Sequence, residues 1–117
     1  MTEIKVNLVD SKNVSILYGS PIKIQLFDKY LFYTSECGYE NWKDNDDHSL
    51  GKSQRLAKEC MYLQRDSIYQ ISVAYDNDED VNYVSLLSGN NNVFFNVSDY
   101  NEGIRVINEI SQWRFSE

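Results

Sequence analysis

The first third of the chain places apolar residues at alternating positions. IKVNLV (4–9) alternates most clearly, and this period of two is typical of a strand with one buried face. Similar short runs follow in VSILY (14–18), IKIQLF (22–27) and YLFYT (30–34). Because parallel neighbours need a crossover of about a dozen residues or more, the short connections predict antiparallel strands over residues 4–34.

The middle of the chain loses this periodicity. Residues 35–53 collect charged residues, Gly and Asn, and they predict an irregular loop. The next segment, QRLAKECMYL (54–63), carries two patterns. Leu56, Cys60 and Leu63 would lie near one face of a short helix, whereas MYLQ could begin a strand. Helix and strand both stay open for this segment.

Three further strand-like runs lie in the second half, YQISVAY (69–75), VNYVSLL (81–87) and VFFNV (93–97). The first connection, DNDED (76–80), contains one Asn, and the second, SGNNN (88–92), contains Gly and three Asn. Both residues tolerate positive φ angles, so the connections predict hairpin turns. Residues 69–97 are therefore predicted to form an antiparallel meander.

After the meander the apolar period changes from two to that of a helix. Asp99 and Glu102 have capping-box spacing, with Asp in place of the usual Ser or Thr. Apolar residues then recur every third position, at Ile104, Ile107, Ile110 and Trp113. Val106 and Ile110 share a flank of this helix. This pattern predicts an amphipathic helix over residues 99–115 that packs on the sheet.

The composition fits one packed domain over residues 1–117. Hydrophobic residues make up 42% and aromatic residues 14%, and aromatic side chains favour strands. We therefore expect a mainly β, α+β fold. Its form would be a bent antiparallel sheet or half-barrel of about seven strands, closed by the C-terminal helix.

The stretch from SIYQISVAY through VNYVSLLSGNNNVFFNVSDYNEGIRVINEISQW resembles the pleckstrin-homology-like fold. The match lies in its order of hairpin, hairpin, polar turn and helix. Members of that family mostly bind phosphoinositides, peptides or protein surfaces, and the lipid-binding ones use a basic Lys-x-Arg cluster in the first hairpin. Here that hairpin, VNLVDSKNVSILY, has Lys12 alone at its turn. The resemblance thus implies protein recognition.

Charge and cysteine content narrow the expected partners and location. The net charge of −7 repels phosphate backbones and anionic headgroups, so we expect no direct binding to nucleic acid or membrane. Cys37 and Cys60 form no CxxC motif, and His48 is the only histidine, which cannot complete a zinc cage. We interpret the cysteines as reduced core thiols of a cytoplasmic protein.

The acidic run DNDED (76–80) fails as a calcium loop. Val81 stands where an EF-hand needs Gly, and Leu87 stands where it needs the bidentate Glu. The sequence Gly51-Lys52-Ser53 fails as a phosphate loop, because Asp46 occupies the position of its first glycine. No metal or other cofactor is expected.

The leading functional interpretation is a non-enzymatic inhibitor that binds a basic protein. The acidic, aromatic composition resembles the small immunity proteins that bacteria make against their nuclease toxins, and phage anti-defence proteins. Such a surface steers association with a basic site. The predicted contact residues are Asp76, Asp78, Glu79, Asp80, Asp44, Asp46, Asp47, Tyr39, Trp42 and Tyr75.

Two other functions stay open. The chain could be an adaptor that binds a peptide along a sheet edge, where main-chain groups give affinity. It could also be a small hydrolase built around His48 or a carboxylate pair. Structural explanations compete as well, since DNDED could be a solvated hairpin turn and Trp42 could fold back to close one end of the barrel.

Overall fold

The structure is a computed structural model that describes residues 1–7, 19–37, 57–89 and 91–116. Its elements are β1 (Thr2–Ile4), β2 (Ser20–Leu26), β3 (Tyr30–Cys37), β4 (Ala57–Gln64), a 3-10 turn (Arg65–Ser67), β5 (Gln70–Asp76), β6 (Val81–Leu87), β7 (Val93–Val97) and α1 (Tyr100–Phe115). The described chain is mainly β, with antiparallel strands and one C-terminal helix. The predicted α+β class is confirmed at that level.

The first sheet has the strand order β1-β2-β3-β4, with every pair antiparallel. A short turn at Asp28 and Lys29 joins β2 to β3. The N–H of Phe27 donates to the carbonyl of Tyr30 across it at 2.9 Å. The pairing shifts by one residue near Pro21, which has no N–H to give to the ladder.

The second sheet has the order β5-β6-β7, which confirms the predicted meander. It meets the first sheet at Gly19, which forms an isolated parallel bridge with Phe95. The N–H of Asn96 donates to the carbonyl of Gly19 at 2.8 Å. A Cβ at Gly19 would lie 3.0 Å from the hydroxyls of both Tyr33 and Ser35, so glycine allows this close approach.

The two sheets and the helix enclose one apolar core. In β3, Leu31 and Tyr33 face this core while Tyr30 and Phe32 face outward, as the two-residue strand period requires. The core residues come from α1 and from every strand except β5, whose Ile71 and Val73 pack against the core while partly exposed. The buried members are Ile4, Ile24, Leu26, Leu31, Tyr33, Leu63, Ile68, Val84, Leu86, Val93, Phe95, Val97, Val106 and Ile110.

Helix α1 begins at Tyr100, and Asp99 is its N-cap, as the capping-box spacing predicted. The Asp99 carboxylate accepts the N–H of Glu102 at 2.8 Å, but Glu102 does not return the reciprocal bond of a capping box. Its carboxylate instead accepts the N–H of Asn7 at 2.8 Å and the Nε–H of Arg105 at 2.8 Å. The helix start therefore holds the N-terminal segment against the fold.

The buried stripe of α1 differs from the predicted one. Its buried residues are Glu102, Gly103, Val106 and Ile110. Ile104 is only half-buried, and Ile107 and Trp113 are partly buried against the core. A strict spacing of three rotates by about 60° per step on a helix with 3.6 residues per turn, so residues 104 to 113 cannot all share one face.

Several predicted boundaries are wrong. Strand β1 ends at Ile4, whereas a strand was predicted over 4–9, and Lys5 accepts a hydrogen bond from Arg105 instead. Strand β3 continues to Cys37, past the predicted loop start at residue 35, because β4 pairs with it along its whole length.

The described part of the segment left open between helix and strand lies in β4, Ala57–Gln64, in which Leu63 points inward and Tyr62 outward. Residues 8–18 and 38–56 lie outside the described chain, including the predicted strand 14–18. No helix among the described residues is long and apolar enough to cross a membrane.

Candidate functional site

The acidic run 76–80 forms the turn between β5 and β6. Asp76 pairs with Val81 at the end of the ladder, and the residues between them make a four-residue turn. One carboxylate oxygen of Asp76 accepts the N–H of Asp78 at 2.9 Å and that of Glu79 at 3.1 Å. Asp76 therefore stabilises the turn from within, as Asp does in Asx turns.

The other end of this turn positions an aromatic side chain. Asp80 takes a left-handed backbone conformation with φ of 53°, a region in which Asp is enriched among residues other than glycine. Its carboxylate accepts the hydroxyl of Tyr75 at 2.5 Å, and the Tyr75 side chain is 50% exposed. This hydrogen bond, with smaller contributions from burial and from the charges of Asp80 and Asp76, raises the pKa of Tyr75 above 10.

The predicted contact residues thus divide into two groups. Tyr75, Asp76, Asp78, Glu79 and Asp80 lie on one turn, and in this group Asp78 and Glu79 are exposed acids that the turn itself does not use as acceptors. The remaining predicted contacts lie outside the described residues, namely Asp44, Asp46, Asp47, Tyr39 and Trp42.

His48, possible metal ligands and a pocket beside Arg65 bear on whether the chain has a catalytic or metal site. His48 also lies outside the described residues. Within the described ranges, no three His, Cys, Asp or Glu side chains come together in a way that could hold a metal ion. A shallow pocket of about 370 Å³ lies beside Arg65. The Arg65 guanidinium is already occupied there, because it donates to the carbonyls of Asp28 at 3.1 Å and Ser116 at 2.6 Å.

A second surface was missed by the sequence analysis. Four rings contact one another on the outward side of the first sheet, and we call them the aromatic face: Phe27, Tyr30, Phe32 and Tyr62. Phe27 stacks on Tyr30 with ring centroids 4.7 Å apart, and Tyr62 lies 4.7 Å from Phe32 and 5.1 Å from Tyr30. Tyr62 is 62% exposed, so this apolar surface is open to contact.

The aromatic face was hard to predict because YLFYT alternates between two sets of apolar side chains. Large apolar side chains lie on both sides of this part of β3. The alternation therefore has no polar positions to show which side faces outward. The available signal was the high aromatic content of a strand that also supplies the core. An apolar strand of this kind is either buried on both sides or exposes one apolar side.

The aromatic face borders a sheet edge. In the part of the chain that the structure describes, β4 is the last strand of its sheet. The N–H of Arg65 donates to the carbonyl of Lys29 at 2.9 Å, one position beyond the opposed residues Gln64 and Tyr30. Hydrogen-bonded and non-hydrogen-bonded residue pairs alternate along an antiparallel ladder. Arg65 and Lys29 form a hydrogen-bonded pair, so Gln64 and Tyr30 form a non-hydrogen-bonded one. Lys58, Cys60, Tyr62 and Gln64 therefore direct their backbone N–H and C=O groups away from β3.

Cys60 lies on this edge strand and corrects one prediction. Its thiol is free and exposed, whereas a core position was expected. On a helix, Cys60 would share a face with Leu63. In a strand, Cys60 and Leu63 point to opposite sides.

Two described surfaces can thus contact a macromolecule, the acidic turn with Tyr75 and the aromatic face beside the β4 edge. Both are suited to recognition, because aromatic side chains dominate binding energy at protein interfaces. No family model, no curated protein and no solved structure matches this chain.

Proposed function

We propose that this protein is a non-enzymatic inhibitor that binds a basic protein, as an immunity-type or anti-defence protein neutralising a toxin or nuclease. The acidic β5–β6 turn is its contact surface. The partner is a protein; the chain binds no nucleic acid or membrane directly and carries no cofactor. We place it in the cytoplasm, with the sheets and helix arranged as in pleckstrin-homology-like domains.

The observation that carries this proposal is the hydrogen bond from Tyr75 to Asp80. It holds a half-exposed aromatic ring in one orientation beside the exposed carboxylates of Asp78 and Glu79. A ring that is ordered before binding loses less conformational entropy on contact. The net charge of −7 adds long-range attraction for a basic partner.

The turn can be tested without disturbing its own hydrogen bonds. Asp78→Lys with Glu79→Lys reverses the two free carboxylates and leaves the side chains of Asp76 and Asp80 unchanged. The matched control is Glu3→Lys with Glu109→Lys, which makes the same change of net charge on β1 and on α1. Comparing the two pairs separates a local contact from a general charge effect.

The measurement is capture of partners from the native host at low and at about 0.5 M salt, followed by an activity assay of the captured protein. We expect a basic toxin or nuclease that the purified chain inhibits, with weaker inhibition at high salt. The turn variant should lose inhibition and the control should keep it. Equal inhibition by both variants would exclude the turn as the contact surface.

A second candidate function is binding of a peptide or protein segment along a sheet edge. The outward backbone groups of β4 favour it, since an exposed strand edge can pair with another strand. Main-chain hydrogen bonds would supply affinity in this case, so binding would depend less on salt than binding at the acidic turn.

A further inference from the structure

We infer that a pocket between the β1–β2 pair and α1 binds a small primary amine with a bulky apolar body, in its ammonium form. The pocket has a volume of about 410 Å³, which is in the range of small-molecule sites. This site goes beyond the proposed function and is separate from the acidic turn. The residues that line it are Thr2, Leu26, Glu109, Gln112 and Trp113.

Strand pairing and helix periodicity bring these residues together. Thr2 lies opposite Leu26 in the β1–β2 ladder, so both side chains are on the side of the first sheet that faces the core. On α1, Glu109 precedes Gln112 by three residues and Trp113 by four, and residues at these spacings are neighbours on a helix surface. The pocket therefore lies between one flank of the helix and the first strand pair.

The pocket has an apolar end and a polar end. Leu26 is 4% exposed and Trp113 is partly buried against the core. Thr2, Glu109 and Gln112 are exposed. An apolar body can therefore contact Leu26 and the Trp113 ring while its head group stays at the open end. The volume is larger than the four-carbon chain of a lysine fills, which favours a bulkier ligand such as one that carries an aromatic ring.

The polar end offers three acceptors to a cation. Thr2, Glu109 and Gln112 each have a side-chain oxygen, and none of these three side chains makes a hydrogen bond to another described residue. Glu109 lies 3.6 Å from Nη1 of Arg105, which is beyond hydrogen-bond distance. An ammonium group has three N–H donors and no acceptor, so it matches the three oxygens.

The local charge also favours a cation. Arg105 donates its Nε–H and an Nη2–H to the two carboxylate oxygens of Glu102, at 2.8 and 2.9 Å. Glu102 and Glu109 together carry two negative charges against the one positive charge of Arg105, so one negative charge is left over. Glu109 is the only charged group among the described residues that line the pocket. An ammonium ion would pair with this carboxylate.

The probe is 2-phenylethylammonium, added to the full chain in phosphate buffer at pH 7, where a primary alkylamine is protonated. NMR follows the indole N–H signal of Trp113, which is identified by its absence in Trp113→Phe. We expect a saturable shift of this signal. The neutral analogue 2-phenylethanol should bind at least about fivefold more weakly, because it lacks the charge. Equal affinities of the amine and the alcohol would overturn the inference.

A derivative without N–H groups tests the three acceptors. The N,N,N-trimethyl form of the probe keeps the charge and the aromatic ring but cannot donate a hydrogen bond. We expect it to bind at least about fivefold more weakly than the primary amine. Equal or tighter binding would mean that the oxygens of the pocket are not used, and the inference would be wrong.

Variants locate the site. Glu109→Gln should weaken the binding of 2-phenylethylammonium at least about tenfold, because it removes the charge that pairs with the ligand. Glu3→Gln is the matched control. It makes the same change of net charge beside Thr2, but the Glu3 side chain points to the opposite side of β1. Equal losses in the two variants would show that only net charge attracts the amine, and the pocket would not be the site.

A lysine side chain of another protein carries the same ammonium group on a thinner chain. Nα-acetyl-lysine methylamide should therefore bind at least about fivefold more weakly than 2-phenylethylammonium, since it buries less apolar area. Equal or tighter binding of the lysine derivative would assign the pocket to a protein partner and overturn the inference.

Two variants separate the amine site from the inhibitor proposal. Asp78→Lys with Glu79→Lys should bind the amine normally, since the β5–β6 turn belongs to the other sheet. Glu3→Lys with Glu109→Lys should lose the amine and keep inhibition. Failure of the amine to bind the unmodified chain would reject the pocket while leaving the turn to its own test. Loss of amine binding in the turn variant would show that the two surfaces are not separate and would also contradict the inference.

Discussion

The indole nitrogen of Trp113 donates a hydrogen bond to the backbone carbonyl of Phe27 at 2.6 Å. This bond joins the last turn of α1 to the β2–β3 turn of the first sheet. Arg65 reinforces the junction, because its guanidinium lies 5.6 Å from the centre of the Trp113 ring and donates to the Ser116 carbonyl at 2.6 Å. A cation at this end also complements the helix dipole and satisfies a carbonyl beyond the last turn.

Trp113→Phe should lower the free energy of unfolding by about 1–2 kcal/mol. The substitution keeps an aromatic ring but removes the donor to Phe27, whose carbonyl then loses this partner. Urea denaturation at neutral pH measures the change. Tyr69→Phe is the control, because Tyr69 is 64% exposed and the substitution also removes one polar group from an aromatic side chain. Equal effects of the two substitutions would contradict a role for the indole bond.

Glu102 makes stability depend on pH. Its hydrogen bond from Arg105 is the largest cause that lowers the pKa of Glu102 below 4.5; burial opposes this shift, and the Asn7 N–H supports it. A carboxyl with a lower pKa in the folded state contributes stability above its unfolded pKa and loses it as the pH falls through the folded value. This contribution should therefore disappear only in acid.

Glu102→Gln tests that sign. We expect the variant to be less stable by about 1–2 kcal/mol at pH 7, because it loses charge-assisted bonds to Arg105. The difference in free energy of unfolding between the variant and the parent protein should shrink as the pH falls below about 4.5. Glu109→Gln is the matched control, since Glu109 is 47% exposed and lies 3.6 Å from the same guanidinium. A gap that is constant with pH would mean that the Glu102 charge is not involved.

Gly103 lets α1 approach β5. A Cβ built on Gly103 would overlap Cγ2 of Val73 and lie 3.3 Å from Cγ2 of Val97. Alanine normally favours a helix over glycine by about 1 kcal/mol. We expect Gly103→Ala to destabilise the protein by about 1–3 kcal/mol instead, because Val73 is branched at Cβ and packs against the core.

A double-mutant cycle with Val73→Ala checks the cause of this effect. The smaller side chain lacks Cγ2, which is the nearest atom, while Cβ of residue 73 stays at 3.3 Å. Gly103→Ala should therefore destabilise the protein much less in the Val73→Ala background. Thermal or urea denaturation of the four proteins gives the coupling. Additive effects would show that the close approach to Val73 does not require glycine.

Tyr75 should titrate above pH 10. Its hydroxyl donates to Asp80, and this hydrogen bond, together with nearby negative charge, raises the pKa of Tyr75. Absorbance at about 295 nm, taken as the difference from Tyr75→Phe, isolates this tyrosine. Asp80→Asn should bring the pKa back towards 10, because Asn tolerates the left-handed backbone but carries no charge. An unchanged Tyr75 titration in Asp80→Asn would show that Asp80 does not raise the pKa of Tyr75.

The sequence predicted the local elements well where periodicity was regular. VNYVSLL and VFFNV form β6 and β7 within the predicted bounds, and Asp99 caps α1, because alternating burial and an acceptor at the cap are local properties. The acidic turn of the candidate site could also be predicted from local sequence. DNDED is a run of adjacent residues, so its acids had to lie close together.

The tertiary structure decided the rest, because it depends on which strand pairs with which. Local pattern left 54–63 open between helix and strand. Pairing with β3 made residues 57–64 a strand with Tyr62 on the outward side. The same pairing placed Tyr62 on Phe32 and, within the described ranges, left β4 as the last strand of its sheet, which no local spacing encodes. Composition and period thus determined the elements and the charge of this protein, whereas long-range pairing determined which aromatic side chains and backbone groups remain exposed.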